Sequence, residues 1–204
     1  MPLNLTATFS LLRALKNPSI LVPHFTTPSF NQIPIPLFPG EDVRAVVLDK
    51  DNCFAAPRTD VIWPEYEETY AKLRAHYGDR LVIVSNTSGT KVEDASGAKA
   101  VLLTKNTSTA VLRHDTLKPG CSEEIFAYLK ARGVTKPSQI AVVGDRIATD
   151  VVMASLMGAR SVWIKDGTPA RPAEKTWYGP VEAGVVEMLQ RRGWKAMPLS
   201  EKEI

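Results

Sequence analysis

Short apolar runs that alternate with stretches of helical character are the feature that most constrains the fold of this chain. From Arg44 onward the runs are four or five residues long, and helical patterns lie between them. This alternation is typical of a parallel sheet covered by helices. We therefore predict an α/β, Rossmann-like fold with about five parallel strands, at residues 45–49, 81–85, 100–103, 140–144 and 161–164.

The most distinct predicted helix covers residues 63–78, with Pro64 near its start and Gly78 at its end. Proline favours the first turn of a helix and glycine favours its end. The other predicted helices are residues 91–99, 121–133, 149–158 and 181–193, and residues 104–117 and 165–180 are predicted to be loops.

Composition limits the classes of function that the chain can have. The 25 basic and 22 acidic residues give a net charge of +3, without the dense basic stripe that nucleic-acid binding requires. The two cysteines, Cys53 and Cys121, lie far apart, so neither a disulfide framework nor a zinc site is indicated. No apolar run of about 18 residues is present to span a bilayer. We predict neither a nucleic-acid partner nor a transmembrane segment.

Polar residues stand at the ends of three predicted strands. Asp49 ends the first strand, Ser85 and Asn86 end the second, and Asp145 follows Gly144 at the end of the fourth. In a doubly wound sheet, ligands bind beyond the carboxyl ends of the strands. A single Asp after a strand has a simple structural explanation, because turns favour Asp. Agreement between three strands instead indicates one shared site.

Four separated motifs occur in a fixed order along the chain. They are DKD at 49–51, SNT at 85–87, Lys-Pro at 118–119 and GDRIATD at 144–150. This order resembles the haloacid dehalogenase (HAD) superfamily over about residues 41–165, with D-x-D after the first strand and an acidic pair last. The chain departs from the superfamily pattern at Cys53, where Thr or Val is common.

The resemblance implies a phosphomonoesterase that works through an aspartyl-phosphate. Asp49 would be the nucleophile, and Asp51 would protonate the leaving oxygen and then activate water. Two positions apart on an extended segment, their side chains share a face. Ser85 and Asn86 would donate hydrogen bonds to the phosphoryl oxygens, and Lys118 would balance their charge.

Mg²⁺ is the cofactor that such a group of carboxylates favours. Carboxylates that share a pocket repel one another unless a cation is present, and their hard oxygens suit Mg²⁺. Asp49 and Asp145 are the expected side-chain ligands, and by resemblance the backbone carbonyl of Asp51 joins them. Asp150 is either a ligand through water or a support for Lys118, or else an ordinary helix cap.

The spacing of the motifs leaves little room for an inserted cap domain. Only 36 positions separate Asp49 from Ser85, and they hold a flap-like segment (residues 53–64) and one helix. An uncapped site permits a large or membrane-bound phosphate ester. Five residues near the motif ends are candidates for binding a second phosphate or a charged headgroup, with a solvated surface role as the alternative: Lys50, Arg58, Arg113, His114 and Arg146.

Residues 1–40 differ from the rest of the chain, because they contain no Asp or Glu and hold seven of the fifteen prolines. Five residues of their first part form a pattern suited to a membrane interface: Leu5, Phe9, Leu12, Arg13 and Lys16. A helix packed on the domain or on another subunit is the alternative, and the composition also resembles a mitochondrial targeting segment. We predict that residues 28–40 are an extended tether, and that the phosphatase domain covers residues 41–204.

Four segments together carry a closer resemblance: NPSILVPHF, FNQIPIPLFPG, VVLDKDNCF and GDRIATDVVMA. They resemble the fungal mitochondrial phosphatidylglycerophosphate phosphatases, which are capless HAD proteins. This implies conversion of phosphatidylglycerophosphate to phosphatidylglycerol, the precursor of cardiolipin, by a peripheral enzyme on the anionic matrix face of the inner membrane. The alternatives are a soluble capless phosphatase of small or nucleic-acid phosphomonoesters, and a non-catalytic metal-binding interaction domain. Assembly into a homo-oligomer is a further alternative.

Overall fold

A parallel sheet forms the centre of the protein in the computed structural model, which describes residues 13–168 and 178–204. Its strands are β1 (Phe25–Thr27), β2 (Ala45–Leu48), β3 (Leu81–Ile83), β4 (Ala110–Val111), β5 (Ile140–Gly144) and β6 (Arg160–Ile164). Within the described ranges they make one sheet of six strands in the order β1-β6-β5-β2-β3-β4, and every pair is parallel. The predicted α/β class is confirmed, with six strands where about five were expected.

Helices cover both faces of this sheet. The α-helices are α1 (Glu67–Tyr77), α2 (Ala98–Thr107), α3 (Ser122–Lys130), α4 (Val152–Met157) and α5 (Tyr178–Arg191). A single π-helical turn, Ile147–Val151, leads directly into α4. Short 3₁₀ turns occur at Pro18–Leu21, Phe30–Gln32, Pro64–Tyr66, Gly78–Arg80 and Pro137–Gln139.

The strands are continuous apolar runs because both of their faces are buried. Every residue of β2 is buried, and successive side chains enter two different cores. Leu48 packs in the same core as Tyr70 of α1, whereas Val47 packs in the same core as Ile125 of α3. This double coverage is the usual reason why parallel strands lack a polar face.

The order of the strands reverses between β2 and β5. From β2 the chain moves outward to β3 and β4, and it then returns to place β5 on the other side of β2. The register sets Leu48 beside Val143, and the Asp49 N–H donates to the Val143 carbonyl at 2.9 Å. The carboxyl ends of these two strands therefore form the crevice in which such folds bind ligands.

The prediction of a strand at residues 100–103 is wrong, because these residues belong to α2. Ala100 and Leu103 face the core while Val101 is 71% exposed, which is burial on one side of a helix. A four-residue apolar run does not by itself separate a strand from a helix segment. The neighbouring strand is instead β4, a two-residue element within the predicted loop 104–117.

The helix predicted for residues 91–99 is also wrong, since α2 begins only at Ala98. The carboxylate of Asp94 accepts the backbone N–H groups of Lys99 and Ala100, at 3.1 and 2.9 Å. Asp competes for backbone groups in this way and so favours turns and helix starts over helix interiors. The other predicted helices are confirmed within a few residues at their ends. Of the predicted loop at 165–180, residues 169–177 lie outside the described ranges.

Residues 28–40 are part of the core, so the prediction of an extended tether is wrong. Phe30, Ile33 and Leu37 are buried against the core of β2 and α1. Just before them, β1 pairs with β6 as an edge strand, with Phe25 beside Val162. The apolar residues between the prolines bury their side chains here, which a solvated linker would not do.

The predicted membrane-associating residues fall at the limit of the described chain. Leu5, Phe9 and Leu12 lie outside the described ranges, and Arg13 and Lys16 are exposed in a helical turn at residues 13–16. None of the described helices is long and apolar enough to cross a bilayer. The role of residues 1–40 as a targeting or membrane-associating unit stays a prediction.

Candidate active site

Three carboxylates meet in the crevice between β2 and β5, and we call Asp49, Asp145 and Asp150 the acidic cluster. Asp49 follows β2, Asp145 follows β5, and Asp150 lies in the π-helical turn. One oxygen of each residue lies within 4.8 Å of the others. The parallel register explains this meeting, because it makes the first residues after the two strands neighbours.

Lys118, in the segment before α3, lies inside the acidic cluster. Its ammonium donates to Asp49 Oδ1 at 2.5 Å and to Asp150 Oδ1 at 2.7 Å, and the residue is only 2% exposed. Burial by itself would lower the pKa of Lys118, but the carboxylates of Asp150 and Asp49 raise it above its usual value. Lys118 is therefore a fixed cation beside the predicted nucleophile.

Asp150 makes contacts that fit two of its predicted roles, the support of Lys118 and the helix cap. It supports Lys118 through Oδ1, while Oδ2 accepts the backbone N–H of Arg146 at 3.2 Å. Gly144 makes room for this carboxylate, because an added Cβ at that position would collide with the Asp150 side chain. The close approach explains why glycine ends β5.

The acidic cluster carries more negative charge than Lys118 can neutralise. Burial raises the pKa of Asp49 to about 6, with Lys118 opposing the rise and the charge of Asp150 adding to it. Burial likewise raises the pKa of Asp145 well above its usual value, and the charges of Asp49 and Asp150 add to the rise. A divalent cation would relieve this repulsion.

The donor set of the acidic cluster fits Mg²⁺. Its members offer hard carboxylate oxygens, which Mg²⁺ prefers to sulfur or imidazole ligands. Asp145 Oδ1 is buried, and among the described residues it has no hydrogen-bond partner. A buried carboxylate oxygen without a donor is costly unless a cation occupies its free side. The assignment of Asp49, Asp51, Asp145 and Asp150 as metal ligands remains a prediction that this geometry suits.

Asp51, the predicted acid and base, is held by three donors. Oδ1 accepts hydrogen bonds from Lys50 Nζ at 2.7 Å and from the Arg58 backbone N–H at 2.8 Å. Oδ2 accepts one from Thr87 Oγ1 at 2.6 Å. Arg58 has a left-handed backbone, with φ of +61°, which is uncommon for a residue other than glycine. The flap is thus folded onto the Asp51 carboxylate.

Lys50, which stands between the two aspartates, is buried and 1% exposed. Besides Asp51, its ammonium donates to the Thr59 carbonyl at 2.8 Å, and Asp60 Oδ1 lies 3.8 Å away. These contacts join Asp51 to the flap. They give no support to the predicted role of Lys50 in binding substrate, because the ammonium is buried among protein groups.

The residues after β3 form a small polar network. Ser85 Oγ accepts the Thr87 backbone N–H at 3.2 Å and lies 3.0 Å from Thr87 Oγ1. Asn86 Oδ1 accepts the Lys118 backbone N–H at 2.8 Å, which ties the β3 segment to the lysine. The sequence motifs indicated Ser85 and Asn86 but not Thr87, which links Ser85 to Asp51. The third polar residue of the SNT motif was the available signal.

The remaining predicted headgroup ligands have different surroundings. His114 is buried, with Nδ1 2.7 Å from the Thr116 carbonyl and Nε2 3.2 Å from the Ser85 carbonyl. Arg113 donates to the Ala95 carbonyl at 3.2 Å, on the loop before α2. Arg58 and Arg146 lie beside Asp51 and Asp150 through their backbone N–H groups. Their predicted contacts with substrate stay predictions.

Two residues that the sequence did not indicate contact the loop between Asp145 and Asp150. The Trp163 indole N–H donates to the Asp145 carbonyl at 2.9 Å. The carboxylate of Glu182, on α5, accepts two backbone N–H groups of the π-helical turn. Neither residue lies in a recognisable sequence motif, so the local sequence gives no signal for either.

A known protein family matches most of the chain. The family model described as "Mitochondrial PGP phosphatase" matches residues 5–169, which include every residue of the acidic cluster. The chain belongs to this family. No solved structure matches the chain.

Named relatives give the same assignment. The chain is 46% identical over 177 residues to "Phosphatidylglycerophosphatase GEP4, mitochondrial" of Saccharomyces cerevisiae, covering 85% of this chain and 94% of the relative. It is 34% identical to "Probable phosphatidylglycerophosphatase, mitochondrial" of Schizosaccharomyces pombe, covering 82% and 85% respectively. The predicted resemblance to the fungal enzymes is confirmed, as is the prediction of a phosphatidylglycerophosphatase.

Proposed function

We propose that this protein is a Mg²⁺-dependent phosphomonoesterase that converts phosphatidylglycerophosphate to phosphatidylglycerol through an aspartyl-phosphate on Asp49. The observation that carries the proposal is the contact of Asp49 with Lys118 inside the acidic cluster, at the carboxyl end of β2. The names of the yeast relatives supply the substrate. The HAD resemblance supplies the reaction type.

In the first step, a carboxylate oxygen of Asp49 attacks phosphorus and the ester bond to the glycerol oxygen breaks. Asp51 gives a proton to that oxygen as phosphatidylglycerol leaves. Lys118 keeps Asp49 oriented and offsets part of the charge of the transferring phosphoryl group. Ser85 and Asn86 are the proposed hydrogen-bond donors to the phosphoryl oxygens.

In the second step, water attacks the aspartyl-phosphate, Asp51 takes its proton, and inorganic phosphate leaves. Thr87 can form a hydrogen bond with Asp51 in either protonation state of Asp51. Its hydroxyl donates to the Asp51 carboxylate and can accept from the carboxylic acid. Asp49, Asp145 and Asp150 would hold Mg²⁺, which when bound neutralises the charge that develops on the phosphoryl oxygens.

A lipid substrate at an anionic membrane surface is part of the proposal. Exposed apolar side chains occur on the two segments that follow β2 and β3, at Val61, Val92, Val101 and Leu102. Exposed apolar side chains on these segments favour contact with lipid or with another apolar partner. The proposed location is the matrix face of the mitochondrial inner membrane, in line with the mitochondrial names of the relatives.

The test is release of phosphate from phosphatidylglycerophosphate in vesicles, compared with release from a soluble phosphomonoester. We expect a strong preference for the lipid, loss of activity with a chelator, and recovery with Mg²⁺. Equal rates on both substrates would favour the capless phosphatase of small esters. Absence of turnover on every phosphomonoester would favour a non-catalytic interaction domain.

A further inference from the structure

Helix α5 lies against the loop that joins Asp145 to Asp150. It covers Tyr178–Arg191 and therefore lies beyond residue 169, where the match to the family model ends. Its polar contact with the loop is made by Glu182. Oε2 accepts the Ile147 backbone N–H at 3.1 Å, and Oε1 accepts the Ala148 backbone N–H at 3.0 Å.

These two N–H groups belong to the start of the π-helical turn, where backbone donors have no acceptor within the helix. The preceding N–H, that of Arg146, donates to Asp150 Oδ2 at 3.2 Å. Three successive N–H groups between Asp145 and Asp150 are thus bound by two carboxylates. One carboxylate belongs to the acidic cluster, and Glu182 comes from α5.

Apolar packing fixes the same loop to the same helix. Ile147 of the loop and Val151, which directly follows the loop, form a buried cluster with Trp163 of β6 and Val186 of α5. Val186 is one helical turn after Glu182, so the two side chains lie on the same face of α5. The Trp163 indole N–H in turn donates to the Asp145 carbonyl at 2.9 Å.

The position of Glu182 is electrostatically unfavourable except for its contact with the loop. Burial raises the pKa of Glu182, the N–H groups of Ala148 and Ile147 and the charge of Arg146 lower it, and Asp150 raises it again. A helix start favours a nearby anion, which offsets part of the burial cost. A neutral side chain would give apolar packing without this added negative charge near the acidic cluster.

We propose that Glu182 is a positioning residue for the metal site. By binding the Ile147 and Ala148 N–H groups, it fixes the path of the loop and therefore the separation of the Asp145 and Asp150 carboxylates. The inference rests on the proposed Mg²⁺ site. It makes α5, which lies outside the family match, a functional part of the catalytic unit.

The test is calorimetric titration of Mg²⁺ into the metal-free full-length chain, with the melting temperature measured on the same samples. Partners that orient metal ligands typically contribute roughly 10- to 100-fold in affinity. We expect Glu182→Ala to weaken Mg²⁺ binding by about that factor. Glu182→Gln should weaken Mg²⁺ binding less than Glu182→Ala, because the amide oxygen still accepts one of the two backbone N–H groups. The NH₂ group of the amide cannot accept the other.

Glu187 provides the matched control. It lies on the same helix, is exposed, and pairs with Arg191 at 2.6 Å. Glu187→Gln removes the same charge from α5 and should leave Mg²⁺ affinity within about twofold of wild type, as expected for a screened surface ion pair.

The outcomes separate this inference from the proposed function. Wild-type Mg²⁺ affinity in both Glu182 variants, together with a lower melting temperature, would overturn the inference and make Glu182 a packing residue alone. If Glu182→Ala does not fold, the affinity of Glu182→Gln decides. Failure of the wild-type chain to bind Mg²⁺ would instead refute the metal site of the proposed function.

Discussion

The segments after β2 and β5 each bring two aspartates into the site, but their surroundings differ. After β2, each carboxylate contacts an ammonium group, since Asp49 pairs with Lys118 and Asp51 pairs with Lys50. After β5, Asp150 shares Lys118, whereas Asp145 Oδ1 lacks a hydrogen-bond partner in the described part of the chain. Both carboxylates of the first segment thus contact an ammonium group, whereas the second segment includes a carboxylate oxygen without a hydrogen-bond donor among the described residues.

This difference indicates separate roles for the two segments in chemistry and in metal binding. Carboxylates that are paired with lysine are held in place whether or not a metal is bound, which suits a nucleophile and a proton carrier. A buried carboxylate with a free oxygen beside other carboxylates is unfavourable until a cation binds. We therefore expect the largest effect of substitutions after β2 to be on chemistry, and the largest effect of substitutions after β5 to be on metal affinity.

The largest effect is expected from Asp49→Asn. The amide fits the same space but cannot attack phosphorus, so phosphate release should fall at least roughly 1,000-fold while the fold is retained. Phosphate release and circular dichroism would measure the two properties. Asp79→Asn, at a 78% exposed side chain, is the control and should behave like wild type. Residual turnover above a few per cent would remove Asp49 as the nucleophile.

Asp145→Asn should mainly affect Mg²⁺ binding. Loss of a ligand should weaken the affinity by roughly 100-fold or more, since partners that only orient ligands already contribute up to about that factor. In a chelator, the melting temperature should rise, because one buried like charge is gone. Calorimetry and thermal unfolding would test both effects, with Asp115→Asn, at a 63% exposed side chain, as control. A lower melting temperature in chelator would contradict the charge argument.

Lys50→Met tests the tie between Asp51 and the flap. Removing the ammonium takes one of three donors from Asp51 and removes the Lys50 donor from the Thr59 carbonyl. The free energy of unfolding should therefore fall by about 1–3 kcal/mol. Chemical denaturation would measure it. Lys72→Met removes an exposed lysine that pairs with Glu68 and should change stability by less than about 0.5 kcal/mol. Equal effects of the two substitutions would show that the buried contacts of Lys50 contribute little.

The smallest effect concerns pH. Because burial raises the pKa of Asp49 from 3.8 to about 6, the folded state holds this proton more tightly than the unfolded chain does. Its contribution to the stability of the metal-free protein is complete below pH 3.8 and is lost as the pH rises through about 6. Mg²⁺ needs the ionised carboxylate, so its affinity should increase over the same window, by at most about tenfold per unit. Calorimetry at pH 5, 6 and 7 would test this, and a flat affinity would contradict it.

The residues whose placement was predicted correctly are those encoded next to a strand end. Asp49, Ser85 and Asp145 each follow an apolar run directly, so their placement at one edge of the sheet needed only the parallel arrangement. The errors occurred where local sequence is ambiguous. Residues 100–103 have the composition of a strand but the one-sided burial of a helix, and tertiary contacts decided between them.

The sequence by itself determined the α/β class, the order of the motifs and the identity of the residues at the carboxyl ends of the strands. These depend on periodicity and on chain direction, which are local properties. Only the tertiary structure decided that Lys50 binds Asp51 and the flap, that residues 28–40 enter the core, and that Glu182 holds the loop after β5. Such contacts join residues distant in sequence, and they depend on how whole elements pack together.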